Sequence, residues 1–124
     1  MPDVIVIDLP LPDKRLQVNK PGRDLHWAER GRIVKATRQL AGYTAKPSAP
    51  KKPWSRATLH ATFYVQQIRK RDDDNLNRWI KAYRDGLADA GIVKDDNHFT
   101  LRAPAVVIDP KQQPRVVLRI ERTE

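Results

Sequence analysis

Three aspartates are the residues whose type and spacing can do chemistry. Asp72 and Asp74 are separated by one residue at the end of a strand-like run, and Asp96 follows just beyond a glycine, Gly91. In an extended backbone residues i and i+2 point the same way, so the Asp72 and Asp74 carboxylates face one space and Asp73 turns from it. Two like charges held close stay ionised only when something positive sits between them. Mg²⁺ suits that position, because it takes a few carboxylates and keeps its remaining sites for water and phosphate. A third carboxylate from Asp95-Asp96, on a turn or short strand doubling back after Gly91, completes a metal site. The same residues also have a plain structural reading. An Asp before a helix is commonly a cap, Asp72 and Asp73 can meet the positive end of a helix, and Asp95-Asp96 can be a polar turn. A calcium loop is excluded, since its sixth and twelfth positions require Gly and Glu and here hold Asn77 and Tyr83.

Asp74, Arg78, Lys81 and Asp85 recur at spacings of four, three and four, a polar stripe along one helix. A Lys or Arg beside a carboxylate-bound metal can hold a scissile phosphate and neutralise charge in its transition state. The alternative is a row of surface ion pairs, each worth a few tenths of a kcal/mol, and by position this alternative is preferred for Arg78 and Asp85.

These side chains need elements to hold them. Leu76, Ile80, Tyr83, Leu87 and Ala90 form an apolar stripe that predicts a helix from Asn75 to Ala90, ended by Gly91. Residues 57–68 alternate as a strand, with Leu59, Ala61, Phe63 and Val65 on one face. Val4 to Leu9 reads as a buried strand closed by Pro10 and Pro12. Asp24 caps a helix from Leu25 to about Leu40 or Tyr43, with Ile33, Ala36, Leu40 and Tyr43 inward, Trp27 and Val34 widening the stripe, and Gly42 the stop. Ala45 to Pro53 is an exposed basic loop without a regular element. Two strands, around Thr100 to Asp109 and Arg115 to Glu121, close the chain. The order strand, helix, strand, helix, strand, strand predicts a single α+β domain over 1–124, a mixed sheet with two packed helices. Trp79, next to the apolar stripe, is expected to be buried.

The chain has 124 residues, no cysteine and a net charge of +9. Disulfides, thiolate catalysis and cysteine-ligated metals are excluded. No run approaches a membrane span, and the N-terminus lacks a basic segment before an apolar one, which predicts a soluble intracellular protein. Twelve basic residues against Asp24 and Glu29 between Lys14 and Arg56 give that stretch +10, so the remainder sums to −1. A field of one sign on one part of a small protein favours a polyanion such as nucleic acid.

The run Arg69-Lys70-Arg71-Asp72-Asp73-Asp74-Asn75-Leu76, then Lys81-Ala82-Tyr83-Arg84-Asp85-Gly86-Leu87, then Ala90-Gly91-Ile92-Val93-Lys94-Asp95-Asp96, resembles the RusA-type Holliday junction resolvases, cellular and phage-encoded. The match covers residues 69–96, and the ordered combination is more specific than any one piece. The resemblance implies a homodimeric endonuclease that binds four-way DNA junctions and cleaves them with Mg²⁺, for which Mn²⁺ can substitute. It implies Asp72, Asp74 and Asp96 as catalytic metal ligands and Lys81 as the catalytic lysine, with Arg78 the alternative because Lys81 stands about one helical turn further along than the family's lysine. Lys14, Lys20, Arg23 and the Lys46–Lys52 loop are candidates for handling the junction, and Asn19 is a weaker match. The implied location is the cytoplasm of a bacterial cell or phage-infected host. Two alternatives stay open: a broader nuclease cutting flaps or forks, and a non-catalytic DNA-binding accessory protein.

Overall fold

A computed structural model describes residues 3–16, 27–67 and 73–124, giving the backbone alone for 73–75. Strand β1 (Val4–Pro10) is followed by a single 3-10 turn, Lys14–Leu16, and by helix α1 (Trp27–Ala45). A second 3-10 turn, Lys46–Ser48, leads toward strand β2 (Ala57–Val65). Two short helices, α2 (Asp73–Trp79) and α3 (Lys81–Asp89), and a third 3-10 turn, Asp96–His98, precede strands β3 (Phe99–Leu101), β4 (Ala105–Ile108) and β5 (Arg115–Arg122).

The strands form one mixed sheet in the order β1-β5-β2-β3, and β4 takes the same edge of β2 further along. β5 runs antiparallel to β1 and β2, while β3 and β4 run parallel to β2. Alternation along each strand sends one parity inward. Ile5, Ile120 and Leu59 form one inward row, Ile7, Leu118 and Ala61 the next, and Leu9, Val116 and Phe63 the third. The helices cover that face. Among the described residues no helix covers the other face, as mixed and antiparallel sheets allow. The buried strand expected at Val4–Leu9 is therefore half-buried, with Val6 57% exposed.

The stripe Leu76, Ile80, Tyr83, Leu87 and Ala90 is buried throughout, and Gly91 has a φ of 97°, the left-handed value that a helix stop requires. The single helix expected over 75–90 is instead divided at Ile80, whose φ and ψ are −95° and 15°. Trp79 and Ile80 are both buried, although consecutive residues on a straight helix point about 100° apart. The bend lets Trp79 stack on Phe63 at 6.1 Å and donate from Nε1 to the Asp13 carbonyl at 2.9 Å.

Helix α1 departs further from expectation. It continues past Gly42 to Ala45, and its fully buried residues are Ala41 and Ala45, not Leu40 and Tyr43, which are exposed with Trp27 and Ala36. Ile33 and Val34 are partly buried against the core. The physical reason is close approach to α3. A Cβ on Gly86 would collide with the Arg38 carbonyl and lie 2.8 Å from the Ala41 Cβ, so only small residues fit this crossing. Gly42 is part of that contact rather than a stop. Arg38 clamps it by bonding both Asp89 oxygens, at 2.6 and 2.8 Å. The expected Asp24 cap and helix start lie outside the described residues.

Two smaller corrections concern strand ends. The run expected over 57–68 ends at Val65, and the strand expected over 100–109 is two strands. Pro104 falls at the break, where it cannot donate to β2. The expected order of six elements thus gains a divided helix and a fifth strand, within the same α+β architecture. The loop after α1 opens with the 3-10 turn around Pro47 and is otherwise irregular. Among the described residues no helix is long and apolar enough to cross a membrane.

Candidate functional site

Of the residues singled out for chemistry, Lys81 and Asp96 meet. Lys81 is the first residue of α3, and Asp96 opens the 3-10 turn that leads into β3. Asp95 and Asp96 divide their work. Asp95 is the cap, its side chain accepting from the Asn97 amide at 3.1 Å, which leaves Asp96 to face α3. The Lys81 ammonium donates to Asp96 Oδ2 at 2.7 Å and to Asp85 Oδ1 at 2.7 Å. One cation is therefore shared by two carboxylates, each only about one-fifth exposed.

Arg84 completes the group from beneath. Its side chain is 11% exposed, Nη1 lies 3.9 Å from Asp96 Oδ2, and Nη2 donates to the Asn77 carbonyl at 3.2 Å. A single guanidinium thus spans from Asp96 to α2, one turn from Asp74. Asn77 in turn donates from its side-chain amide to the Arg102 carbonyl at 3.4 Å. Arg84 Nε and His98 Nδ1 are buried without a hydrogen-bond partner among the described residues.

Asp72 lies outside the described residues, as do Asn19, Lys20 and Arg23. Asp74 belongs to the first turn of α2, its side chain undescribed. Arg78 is exposed on α2 and makes no ion pair among the described residues. Among the described residues no three His, Cys, Asp or Glu side chains gather closely enough to hold a metal ion. Arg84 is the member of this cluster that sequence reasoning did not single out, whereas Asp85 makes the helix ion pair expected of it. The lysine-to-aspartate spacing of four was visible and read as a surface pair. Nothing local marked Arg84, because its partners, Asn77 and Asp96, come from other elements.

No family model matches the chain. A protein of Xylella fastidiosa (strain Temecula1), described as uncharacterized, is 35% identical over 123 residues, covering 92% of this chain and 74% of its own length. The chain belongs to that protein's family. Its description names no activity, so the chemistry of this family member is read from the cluster itself.

Each charge in the cluster is set by its neighbours. The Lys81 hydrogen bond holds the Asp96 carboxyl below its ordinary value, against the opposing effect of burial. Partial burial pulls the Lys81 ammonium down, and its bonds to Asp85 and Asp96 outweigh that and hold it above the usual lysine value. Burial lowers the Arg84 guanidinium, opposed by the charges of Asp96 and Asp85. At neutral pH all three are charged, so Asp96 presents an ionised carboxylate flanked by two cations. Outside the cluster, Lys14, Arg32, Lys35, Lys46, Lys51 and Lys52 stand exposed on the basic stretch, a surface suited to a polyanion.

Proposed function

We propose that this chain is a metal-dependent endonuclease of the RusA resolvase type, which resolves four-way DNA junctions by paired phosphodiester hydrolysis. The observation that carries the reading is the Asp96 constellation: an ionised carboxylate sharing the Lys81 ammonium with Asp85 and tied through Arg84 to α2, the helix that begins at Asp73 and Asp74. The donor chemistry fits a hard divalent ion, because aspartates offer hard oxygen ligands and Asp96 is held ionised by Lys81. Asp72, Asp74 and Asp96 would hold Mg²⁺, or Mn²⁺ in its place. When bound, the ion supplies an activated water and a polarised phosphoryl oxygen.

The chain's own residues do the rest. Asp96 offers a carboxylate kept ionised by its neighbours. Lys81 is held by two acceptors, so it can leave Asp96 for a phosphate oxygen while Asp85 keeps hold of its ammonium, and it brings positive charge to the phosphate as negative charge builds there. Arg78 is the alternative for that role. Arg84 fixes Asp96 against α2. The exposed lysines and arginines supply the salt-dependent part of DNA affinity. A homodimer, acting in the cytoplasm of a bacterial cell or phage-infected host, sets two such sites on opposing strands.

The test is a panel of labelled junction, flap, fork and duplex DNA with and without Mg²⁺, using the parent protein and D96N. The parent nicks the junction in pairs only with Mg²⁺, and D96N binds at least as tightly but does not cut. Nicking by D96N at the parental rate refutes the role of Asp96, and equal cutting of flaps and forks replaces strict resolution with a broader branched-DNA nuclease.

A further inference from the structure

The open face of the sheet carries a groove of about 490 Å³, lined by Thr58, His60, Arg102, Ala103, Arg119 and Glu121. Its floor is made of cross-strand pairs, His60 beside Arg119 and Thr58 beside Glu121. Its wall is the segment after β3. Arg102 is fixed there from both sides: its amide donates to the Leu59 carbonyl at 3.0 Å, and its carbonyl accepts from Asn77 at 3.4 Å. The guanidinium of Arg102 is exposed and makes no ion pair among the described residues. Arg119 pairs with Glu121 at 3.5 Å. Two guanidiniums and one carboxylate line the groove, and Glu121 offsets the charge of Arg119 alone, so the lining stays net positive through Arg102.

We propose that this groove binds the sugar–phosphate backbone of a DNA arm leaving the candidate site, with Arg102 and Arg119 as its phosphate contacts. The proposal rests on the nuclease reading and extends it to a second contact surface on the opposite face of the sheet. Charge complementarity and continuity with the site support it. The chain of contacts runs from Asp96 through Arg84 to Asn77, and from the side chain of Asn77 to Arg102. Along the backbone Arg102 is separated from Asp96 by β3, so the two lie within roughly 20 Å, the reach of six extended residues. That upper bound equals the length of about six base pairs of DNA at about 3.4 Å each, so an arm that turns the β3 edge of the sheet can span the two surfaces. His60 and Thr58 add polar atoms to the floor beneath the same phosphates.

The test is equilibrium binding of a labelled four-way junction without Mg²⁺ across a salt series, for the parent, R102Q, R119Q, the double variant R102Q/R119Q and the charge-restoring R102K/R119K. Each lost phosphate contact lowers the slope of log K against log salt by about 0.9 and weakens binding about fivefold at 0.15 M salt. The double glutamine variant is therefore expected to lose about 1.8 in slope and roughly 25-fold in affinity, and the lysine pair to recover the slope. A double glutamine variant with parental slope and affinity overturns the groove and leaves the nuclease reading standing. Altered slopes in a protein that cuts nothing with Mg²⁺ uphold the groove and overturn the nuclease reading. A parent that binds no DNA overturns both.

Discussion

Replacing Arg84 by methionine separates a structural role from a functional one. Met keeps an unbranched, flexible apolar stem without the guanidinium and suits a site where the side chain is 11% exposed. The change removes the bond to the Asn77 carbonyl, worth about 1 kcal/mol, and the longer contact with Asp96. It also relieves the burial of a charge, whose effect is visible in the lowered Arg84 pKa. Removing one member of a buried pair costs about 3–5 kcal/mol when the other is left uncompensated. Asp96 is not left so, because Lys81 still donates to it at 2.7 Å. R84M is therefore expected to lose only about 1–2 kcal/mol of stability. If the proposed metal site is right, its effect there should be larger, because residues that orient a metal ligand typically change metal affinity or activity by about 10–100-fold. R84K keeps a charge but cannot span Asp96 and Asn77 with a planar fork, so it should fall between. Urea unfolding read beside calorimetric titration with Mn²⁺ and single-turnover nicking checks this. A stability loss above about 3 kcal/mol, or parental metal affinity in R84M, would refute the reasoning.

Two further substitutions probe what holds the site's elements together. G86A should destabilise the protein by about 2 kcal/mol despite alanine's better helix propensity, because the new methyl meets the Arg38 carbonyl and Ala41 at the α1–α3 crossing; a urea midpoint equal to or above the parent's contradicts that packing. Tyr83 donates to the Pro10 carbonyl at 2.7 Å, and burial pushes its pKa up to about 12. A group that folding keeps protonated contributes stability fully below its unfolded pKa of about 10 and loses it as pH rises through about 12. Y83F should cost about 1–2 kcal/mol at neutral pH and weaken the alkaline loss, read by unfolding curves alongside phenolate absorbance; identical alkaline limbs in both proteins contradict the assignment.

The periodic parts of the chain were legible because their pattern is local. Leu76, Ile80, Tyr83, Leu87 and Ala90 name their own inward face, the alternation over β2 names its own, and Gly91 stops a helix by a backbone preference that needs no partner. The meeting of Lys81 with Asp96 was not legible in spacing, because the two residues lie on separate elements. Tertiary structure decided the rest. On α1 the larger apolar side chains, Leu40 and Tyr43, lost to Ala41, Gly42 and Ala45, because the closeness of Gly86 selects for small size and hydrophobicity alone does not. Trp79 and Ile80 both reach the core only because the helix bends between α2 and α3. Arg84 became a site residue through partners distant in sequence, Asn77 and Asp96. A residue's periodicity fixes which way it points within its own element, whereas what it meets there depends on which other element packs against it.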